Sequence, residues 1–212
     1  MIYLESTKTD TSQLDILFNQ LEPYLDFQLV AANTRYVLKD VDKHLGQCYL
    51  MKSGAMSMYR QPGDILVEFF DAPTLRGVNP YALGTNITFV LKVITSSEIA
   101  VLERHVFFEL LGKYNLWENF ARHQMAINRM VIEKMINLTA PTAYTVIRHQ
   151  LYELINTSIY IRESITAVEY IRNKTRLSRS RIMYILSELK RDGYIVIENG
   201  MLISVHMLPE EL

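Results

Sequence analysis

The chain has 212 residues, of which 49% are hydrophobic and 21% are charged, and its formal net charge is −1. This length and composition exclude disordered and fibrous classes and indicate one large or two small globular domains. The near-zero charge excludes nucleic-acid binding by the whole surface, although a local cluster of cations remains compatible with such binding.

The residues that would mark an oxidising compartment, a metal site or a membrane segment are few. The single cysteine, Cys48, cannot form an internal disulfide and has no repeating ligand spacing around it, which favours a reducing compartment and no bound metal. The N-terminus has no secretory pattern, and no run reaches the roughly 18 apolar residues of a membrane span. We therefore expect a soluble, cytoplasmic protein with no cofactor and no membrane partner.

The first half of the chain shows a short amphipathic helix followed by strand-like segments. Apolar residues recur at helical spacing over residues 11–25. Beyond them, short segments rich in β-branched and aromatic residues alternate with glycine and proline turns, which predicts an antiparallel roll or barrel. The predicted strands are residues 27–31, 47–51, 57–60, 65–70 and 87–94.

Helical periodicity dominates residues 116–138, where apolar side chains occupy more than one face. One small roll cannot cover such a helix, so a second surface must bury part of it. We favour the seam of a homodimer; a helix buried between two domains of one chain is the alternative. Pro141 disfavours helical geometry in the residue before it, which predicts a hinge over residues 139–142. A further helix is expected around residues 146–155, and residues 159–161 have the composition of a short strand.

The C-terminal quarter of the chain carries the most informative pattern. Thr166 and Glu169 form the Thr-x-x-Glu pair of a capping box, so a helix should begin there. Ser178 is placed to cap a second helix. Two strand-like segments flank Asn199-Gly200, the strongest short signal for a β-hairpin. Together these signals predict a winged helix-turn-helix, whose second helix enters the major groove of DNA.

Cations are concentrated around the turn between those two helices, where the ten residues from 172 to 181 hold five cations and no acid. Cations at a helix N-terminus oppose the helix dipole, whereas DNA phosphates would compensate them. We predict that the turn binds phosphates while Arg179, Ser180 and Tyr184 face bases; a solvated basic face on a protein-interaction domain is the alternative. The predicted DNA-binding residues are Arg172, Lys174, Arg176, Ser178, Arg179, Ser180, Arg181, Tyr184, Ser187 and Asn199.

The order of a roll, a long helix, a hinge and a winged helix-turn-helix resembles the Crp/Fnr superfamily of bacterial transcription factors. The run Leu-Ser-Arg-Ser-Arg-Ile at residues 177–182, with the apolar positions that follow it, is similar to the start of the family's recognition helix. Residues 95–102 resemble the final strand of the family's sensor roll. Residues 170–180 further resemble a small enterobacterial subgroup of winged-helix regulators that affects peroxide resistance.

The resemblance implies an α+β chain in three parts. These are an antiparallel β-roll of the cyclic-nucleotide-binding type over residues 1–112, a dimerisation helix over residues 113–139 and a winged helix-turn-helix DNA-binding domain over residues 140–212. The resemblance also implies double-stranded DNA as a partner, a homodimer formed through the helix 116–138 and RNA polymerase as a further candidate partner. The sequence identifies no small-molecule effector.

The predicted sensor roll departs from the family at the positions that bind cyclic nucleotides. Such members use a glycine-glutamate pair for the ribose and an arginine followed by a small hydroxyl residue for the phosphate. Here Val78 replaces the carboxylate and Ile87 replaces the guanidinium. A buried phosphate would lack its main charge partner, so we expect no binding of cyclic AMP. The residues of this degenerate ligand pocket are Gly77, Val78, Asn79, Ile87 and Thr88.

Other ligand and reaction classes have little support. An iron-sulfur cluster needs several cysteines, which this chain lacks. Cys48 is expected to be a buried, inert thiol, and a thiol that senses peroxide is the alternative. The five histidines are scattered, although His123 lies on the long helix, where it could sense pH or sit at a dimer seam. No phosphate loop, nucleophile elbow or metal-spaced histidine pair is present, so we do not expect an enzyme. The remaining alternative is a protein-interaction module that no longer binds DNA.

Overall fold

The computed structural model describes residues 12–38, 46–79, 86–175 and 177–211. Within these ranges the chain forms two compact units, one over residues 12–127 and the other over residues 128–211. Each unit has buried apolar side chains of its own. Among the helices in these ranges, none is both long and apolar enough to cross a lipid bilayer.

The first unit begins with helix α1 (Ser12–Leu21) and a single turn of 3-10 helix (Glu22–Tyr24). The described strands that follow are β1 (Gln28–Val30), β2 (Arg35–Leu38), β3 (Gln47–Ser53), β4 (Ala55–Gln61), β5 (Ile65–Asp71), β6 (Thr74–Arg76), β7 (Thr88–Val93) and β8 (Ser97–Glu103).

These strands form two four-stranded sheets, in the orders β1-β8-β3-β6 and β2-β7-β4-β5. The strand pairs within the described residues are antiparallel. This confirms the predicted antiparallel roll. The sequence did not predict β2 and β6, because strands of four and three residues are too short to show an alternating pattern.

The first unit is completed by α2 (Arg104–Lys113) and by the N-terminal part of α3 (Trp117–Leu138). The predicted long helix is therefore confirmed. Near its start, the ring of Phe120 lies 5.7 Å from that of Phe107 and 5.9 Å from that of Trp117, measured between centroids. The C-terminal part of α3 belongs to the second unit. Its exposed apolar side chains are Val131, Ile132, Met135, Ile136 and Leu138.

Strand β3 shows why the roll needs helices on one side. Cys48 and Leu50 pack with side chains of α1 and α2, whereas Tyr49 and Met51 pack with side chains of the opposite sheet. All four are buried. Because successive side chains of a strand point to opposite faces, a strand with four consecutive buried residues must be covered on both sides.

The second unit contains the C-terminal part of α3, four further helices and a hairpin among the described residues. The helices are α4 (Ala143–Ile155), α5 (Ile159–Ser164), α6 (Ala167–Lys174) and α7 (Arg179–Arg191). The hairpin strands are β9 (Ile195–Glu198) and β10 (Met201–Val205), which pair antiparallel. The break predicted at Pro141 is confirmed, because α3 ends at Leu138 and α4 is capped by Thr142, whose side chain accepts from the Thr145 amide.

The prediction of a short strand at residues 159–161 is wrong, because these residues form the first turn of α5. Ser158 caps this helix, its Oγ accepting from the Ile161 amide at 3.5 Å. Ile161 is buried, while Ile159 and Tyr160 are exposed. The cap and the burial of one side chain per turn therefore outweigh the strand propensity of β-branched and aromatic residues.

Candidate nucleic-acid interface

The first helix of the predicted helix-turn-helix is α6, which begins at the predicted capping box. The Glu169 amide donates to Thr166 Oγ1 at 3.2 Å, and the Thr166 amide donates to Glu169 Oε2 at 3.4 Å. Tyr170 and Ile171 are buried one turn later. The reciprocal cap fixes where α6 begins, and the two buried side chains fix which of its faces points to solvent.

The second helix, α7, begins where the sequence predicts it. Ser178 Oγ accepts a hydrogen bond from the Arg181 amide at 3.3 Å, which makes Ser178 the N-cap. Ile182, Ile185 and Leu189 are at most 1% exposed and recur at spacings of three and four. This periodicity buries one face of α7 and leaves the opposite face in solvent.

The hairpin β9–β10 forms the predicted wing. Asn199 and Gly200 both have positive φ, 50° and 85°, which a two-residue turn of type I′ requires. The Ala167 amide donates to the Gly200 carbonyl oxygen at 2.8 Å. A Cβ at position 200 would lie 2.9 Å from Thr166 Cγ2. The turn of the wing is therefore packed against the start of α6.

The solvent face of α7 carries the side chains predicted to face DNA. The hydroxyl of Ser187 donates to the carbonyl oxygen of Tyr184 at 2.7 Å, and the hydroxyls of Ser178 and Ser180 lie 3.1 Å apart. Each hydroxyl oxygen has two acceptor lone pairs, so these contacts still allow a ligand to donate to them. The exposed residues on this face and its edges are Arg179, Ser180, Arg181, Met183, Tyr184 and Ser187.

The cations at the two ends of α7 differ in their partners. At the C-terminal end, the Arg191 guanidinium lies 2.8 Å from Glu188 and 3.0 Å from Asp192. At the N-terminal end, Arg179 has no hydrogen bond or ion pair with a described residue, and the same is true of Arg172 on α6. On α7, positive charge is thus paired at the C-terminal end, where the helix dipole favours it, whereas Arg179 at the N-terminal end, where the dipole opposes it, has no such pair.

These two arginines line one recess of about 210 Å³. It is lined by Arg172 and Arg179 with Thr166, Val168 and Glu169 from the start of α6. The Glu169 carboxylate is held by the capping box, with Thr166 Oγ1 donating to it at 2.9 Å. The recess is thus lined by two cations and one carboxylate, and each guanidinium is a group that can donate two hydrogen bonds to a phosphate.

The sequence identified Thr166 and Glu169 only as a helix cap and did not assign Val168 to the DNA-binding surface. The available signal was their position in the first turn of α6, on the helix that precedes the recognition helix. Their place in the recess depends on how α6 packs against α7, which local sequence patterns do not define.

Two predicted DNA-binding residues differ from the others. The Lys174 side chain is 6% exposed, and its ammonium lies 2.7 Å from the Glu153 carboxylate and 4.8 Å from the centre of the Tyr170 ring. The charge of Lys174 is therefore compensated within the second unit, which does not favour the predicted contact with DNA. Arg176 lies outside the described residues.

Of the predicted ligand-pocket residues, Gly77 and Val78 follow β6. Gly77 has a φ of 85°, and a Cβ at that position would lie 2.0 Å from the Gln47 carbonyl oxygen, so the site admits only glycine. The Arg104 side chain donates from Nε to the Gly77 carbonyl oxygen at 2.9 Å. Val78 is 7% exposed and belongs to the core beneath α1 and α2. An apolar core side chain thus occupies the position that the resemblance assigns to the ribose-binding carboxylate.

The remaining pocket residues lie elsewhere. The Asn79 side-chain amide donates to Gln124 Oε1 on α3 at 3.5 Å. Thr88 is the first residue of β7, which belongs to the other sheet, and Ile87 directly precedes it. Residues 80–85, which connect the two groups, lie outside the described residues.

Two groups considered as sensors are buried. Cys48 is buried as predicted, and burial raises the pKa of its thiol to about 12, which keeps it protonated at neutral pH. His123 on α3 is 2% exposed. Burial, assisted by the charge of Arg76, lowers the pKa of His123 to about 4, so its imidazole is neutral at physiological pH. The described residues contain no cluster of three histidine, cysteine or acidic side chains placed to hold a metal ion.

Comparison with known families identifies the C-terminal part of the chain. A family profile described as winged helix-turn-helix DNA binding matches residues 143–210. The matched segment begins with α4 and extends through the wing. It therefore contains the capped helices, the arginine-lined recess and the hairpin described above.

Solved structures share the fold of the chain over nearly its full length. A CooA mutant from Carboxydothermus hydrogenoformans superposes with a TM-score of 0.68 at 12% identity, covering 96% of this chain and 95% of that one. The c-di-GMP-responsive global regulator CLP of Xanthomonas campestris gives 0.62 at 13% identity, covering 92% and 100%. A transcriptional regulator of the crp/fnr family from Eubacterium rectale gives 0.61 at 16% identity, covering 90% and 89%. The predicted resemblance is thus confirmed in the fold.

Curated relatives carry one name. The inhibitor of hydrogen peroxide resistance of Escherichia coli strain K12 is 24% identical over 179 residues, which cover 84% of this chain and 86% of that protein. The protein of the same name from Salmonella typhimurium is 23% identical over 190 residues, with the same coverage. The resemblance to this subgroup therefore extends well beyond the helix-turn-helix.

Proposed function

We propose that this chain, which has the fold of the Crp/Fnr transcription regulators, is a transcription regulator that binds double-stranded DNA through α6, α7 and the wing. The observation that carries the proposal is that Arg172 and Arg179, neither of which has an ion pair with a described residue, line one recess beside the N-terminus of α7. Arg179 also lies in the first turn of α7, where the helix dipole opposes a cation, and a DNA phosphate would compensate its charge.

The positions of the side chains suggest a division of roles. Arg172 lies on α6 and would contact a phosphate, which fixes the position of the protein on the duplex. Arg179 lies in the first turn of α7, where a guanidinium can pair with both acceptors of a guanine edge. Ser180 and Tyr184 would contact bases or phosphates further along the groove. The residues that we assign to contacts at the edges of the site are Ser178, Arg181, Ser187 and Asn199.

The test of base reading is Arg179→Ala. We expect this variant to lose roughly 10- to 100-fold in affinity for its operator and much less for a scrambled duplex, because a bidentate arginine–guanine contact discriminates between bases. The operator is first obtained by capturing genomic fragments and sequencing them. Binding is then measured by fluorescence anisotropy on both duplexes at one salt concentration. Equal loss on the two duplexes would contradict base reading by Arg179.

Two further variants complete this experiment. Arg172→Ala should weaken binding to both duplexes by the same factor and reduce the slope of log K against log salt by about one, because one phosphate is no longer neutralised. Arg191→Ala is the matched control, because Arg191 is an exposed arginine on the same helix whose charge is compensated. It should leave both affinities nearly unchanged. If no duplex binds the intact chain, the alternative of a protein-interaction module is favoured.

We further propose that the roll has lost cyclic-nucleotide binding. Support comes from Val78, which is turned into the core, and from Ile87 at the predicted phosphate position, since neither side chain can bind a charged ligand group. Titration calorimetry with cyclic AMP and cyclic GMP should show no heat of binding. A dissociation constant in the micromolar range for either nucleotide would overturn this proposal.

The proposed regulator acts in the cytoplasm as a homodimer formed through the helix 116–138, with RNA polymerase as a candidate partner. Because the curated relatives are named for hydrogen peroxide resistance, we place its target genes in the oxidative-stress response. The buried thiol of Cys48 does not favour direct sensing of peroxide by this chain. The captured genomic fragments would identify the promoters that it binds.

A further inference from the structure

We infer that Met183 recognises the C5-methyl group of a thymine in the operator half-site. This inference rests on the proposed function, because it assigns a base contact to the same helix. Met183 lies on α7, four residues after Arg179, and its side chain is 50% exposed. Residues three and four apart are neighbours on a helix surface, so Met183 lies beside Arg179, Ser180 and Ser187.

The register of α7 holds Met183 outward. Ile182, immediately before it, is fully buried, and Leu186 is 4% exposed. These two side chains fix the rotation of the helix, so Met183 cannot turn into the core without withdrawing them. An exposed apolar side chain contributes to affinity only if its ligand presents an apolar group that covers it. On the base edges of the major groove, the apolar group is the methyl of thymine.

The surroundings of Met183 favour one small apolar partner rather than a protein surface. A protein interface needs a continuous apolar centre, but the neighbours of Met183 on this strip are Arg179, Ser180 and Ser187. Tyr184, the next exposed side chain, has the guanidinium of Arg181 5.9 Å from its ring centre. A single methyl group within a polar groove matches this pattern.

The spacing along α7 limits where the thymine lies. Four residues of a helix advance about 6 Å along its axis, and base pairs follow one another at about 3.4 Å. If Arg179 contacts a guanine, the methyl group contacted by Met183 should belong to a thymine within about two base pairs of that guanine. The proposal therefore specifies an operator half-site with a guanine and a neighbouring thymine on the contacted edges.

The test replaces thymine by deoxyuridine, which removes the methyl group and retains every hydrogen-bonding group. With the operator captured by the full chain, each thymine of a half-site is replaced in turn. One replacement should weaken wild-type binding about fourfold, and the same replacement in both half-sites about 15-fold. Met183→Ala should bind the thymine and deoxyuridine duplexes equally, whereas Met183→Leu should retain part of the preference.

Met207→Ala is the matched control, because Met207 is 87% exposed and lies outside α7. It should keep the full preference for thymine. If every replacement leaves wild-type binding unchanged, or if the preference persists in Met183→Ala, methyl recognition is overturned while the proposed function stands. If no duplex is enriched by the intact chain, the proposed function itself fails, and the inference fails with it.

Discussion

At the scale of single residues, the burial of His123 makes the free energy of unfolding depend on pH. Its ring nitrogens have no hydrogen-bond partner among the described residues, and its pKa is lowered to about 4 by burial and by the charge of Arg76. In the unfolded chain the pKa of histidine is about 6.5. Between these two values the unfolded state binds more protons than the folded state, so the free energy of unfolding falls as the pH is lowered through this window.

We predict that His123→Leu makes the protein less sensitive to acid. The titration of His123 should lower the free energy of unfolding by on the order of 2 to 3 kcal/mol as the pH falls from 6.5 to 4. A leucine fills a similar volume and does not titrate, so this contribution should disappear. Urea unfolding at several pH values measures it. The control is His105→Leu, which replaces an exposed histidine and should keep the wild-type dependence; identical profiles for both variants would contradict the prediction.

At the scale of elements, one carboxylate joins three helices of the second unit. Glu153 on α4 lies 3.1 Å from Lys134 on α3 and 2.7 Å from Lys174 on α6. The Lys174 side chain is 6% exposed, whereas that of Lys134 is 29% exposed. Removing one partner of a buried ion pair is costly, because the other charge stays desolvated. Glu153 should therefore stabilise the attachment of α6 to the rest of the unit.

Glu153→Ala should lower the free energy of unfolding by about 2 to 3 kcal/mol, because Lys174 would lose its buried carboxylate partner. Glu118→Ala is the matched control, since Glu118 pairs with Arg122 on an exposed face where both side chains are at least 63% exposed. A pair of that kind contributes at most about 1 kcal/mol. Urea denaturation followed by circular dichroism compares the two variants. Equal losses of unfolding free energy in the two variants would show that the ion pairs of Glu153 stabilise the protein no more than a surface pair does.

The elements also differ in how far the sequence predicted them. The caps of α6 and α7 and the turn of the wing were predicted correctly, because each depends on residues within four positions of one another. Helix α5 was mistaken for a strand, because its short sequence favours β structure and the burial of Ile161 requires the rest of the unit. Local signals suffice where a cap or a turn fixes the backbone.

At the scale of the whole molecule, α3 exposes apolar side chains to solvent in the single chain. Met125 and Ile132 are 71% and 50% exposed and lie one heptad apart, and Met135 and Ile136 are 62% and 63% exposed. Side chains repeating every seven residues form the seam of a two-stranded helical contact. This pattern supports the proposed homodimer, in which the same strip of each copy would form the interface.

We predict that Ile136→Glu converts the dimer into a monomer and weakens operator binding at least about 100-fold, because two linked half-site contacts become independent. Sedimentation velocity measures the mass, and anisotropy measures the affinity. Met207→Glu, which places a charge on an exposed methionine outside α3, should remain dimeric. The two half-sites should lie one helical turn apart, about 34 to 36 Å centre to centre. A wild-type chain that sediments as a monomer would contradict the dimer.

The sequence by itself determined the winged helix-turn-helix, the long helix and the antiparallel character of the roll, since repeating apolar patterns, caps and turns are short-range properties of the chain. The tertiary structure decided which basic side chains are available to bind DNA. Lys174 and Arg179 lie in the same basic run, but α4 brings Glu153 to the first and no described residue to the second. Packing likewise buries the side chains of Val78 and His123. Such differences depend on contacts between residues distant in the chain, which local patterns do not encode.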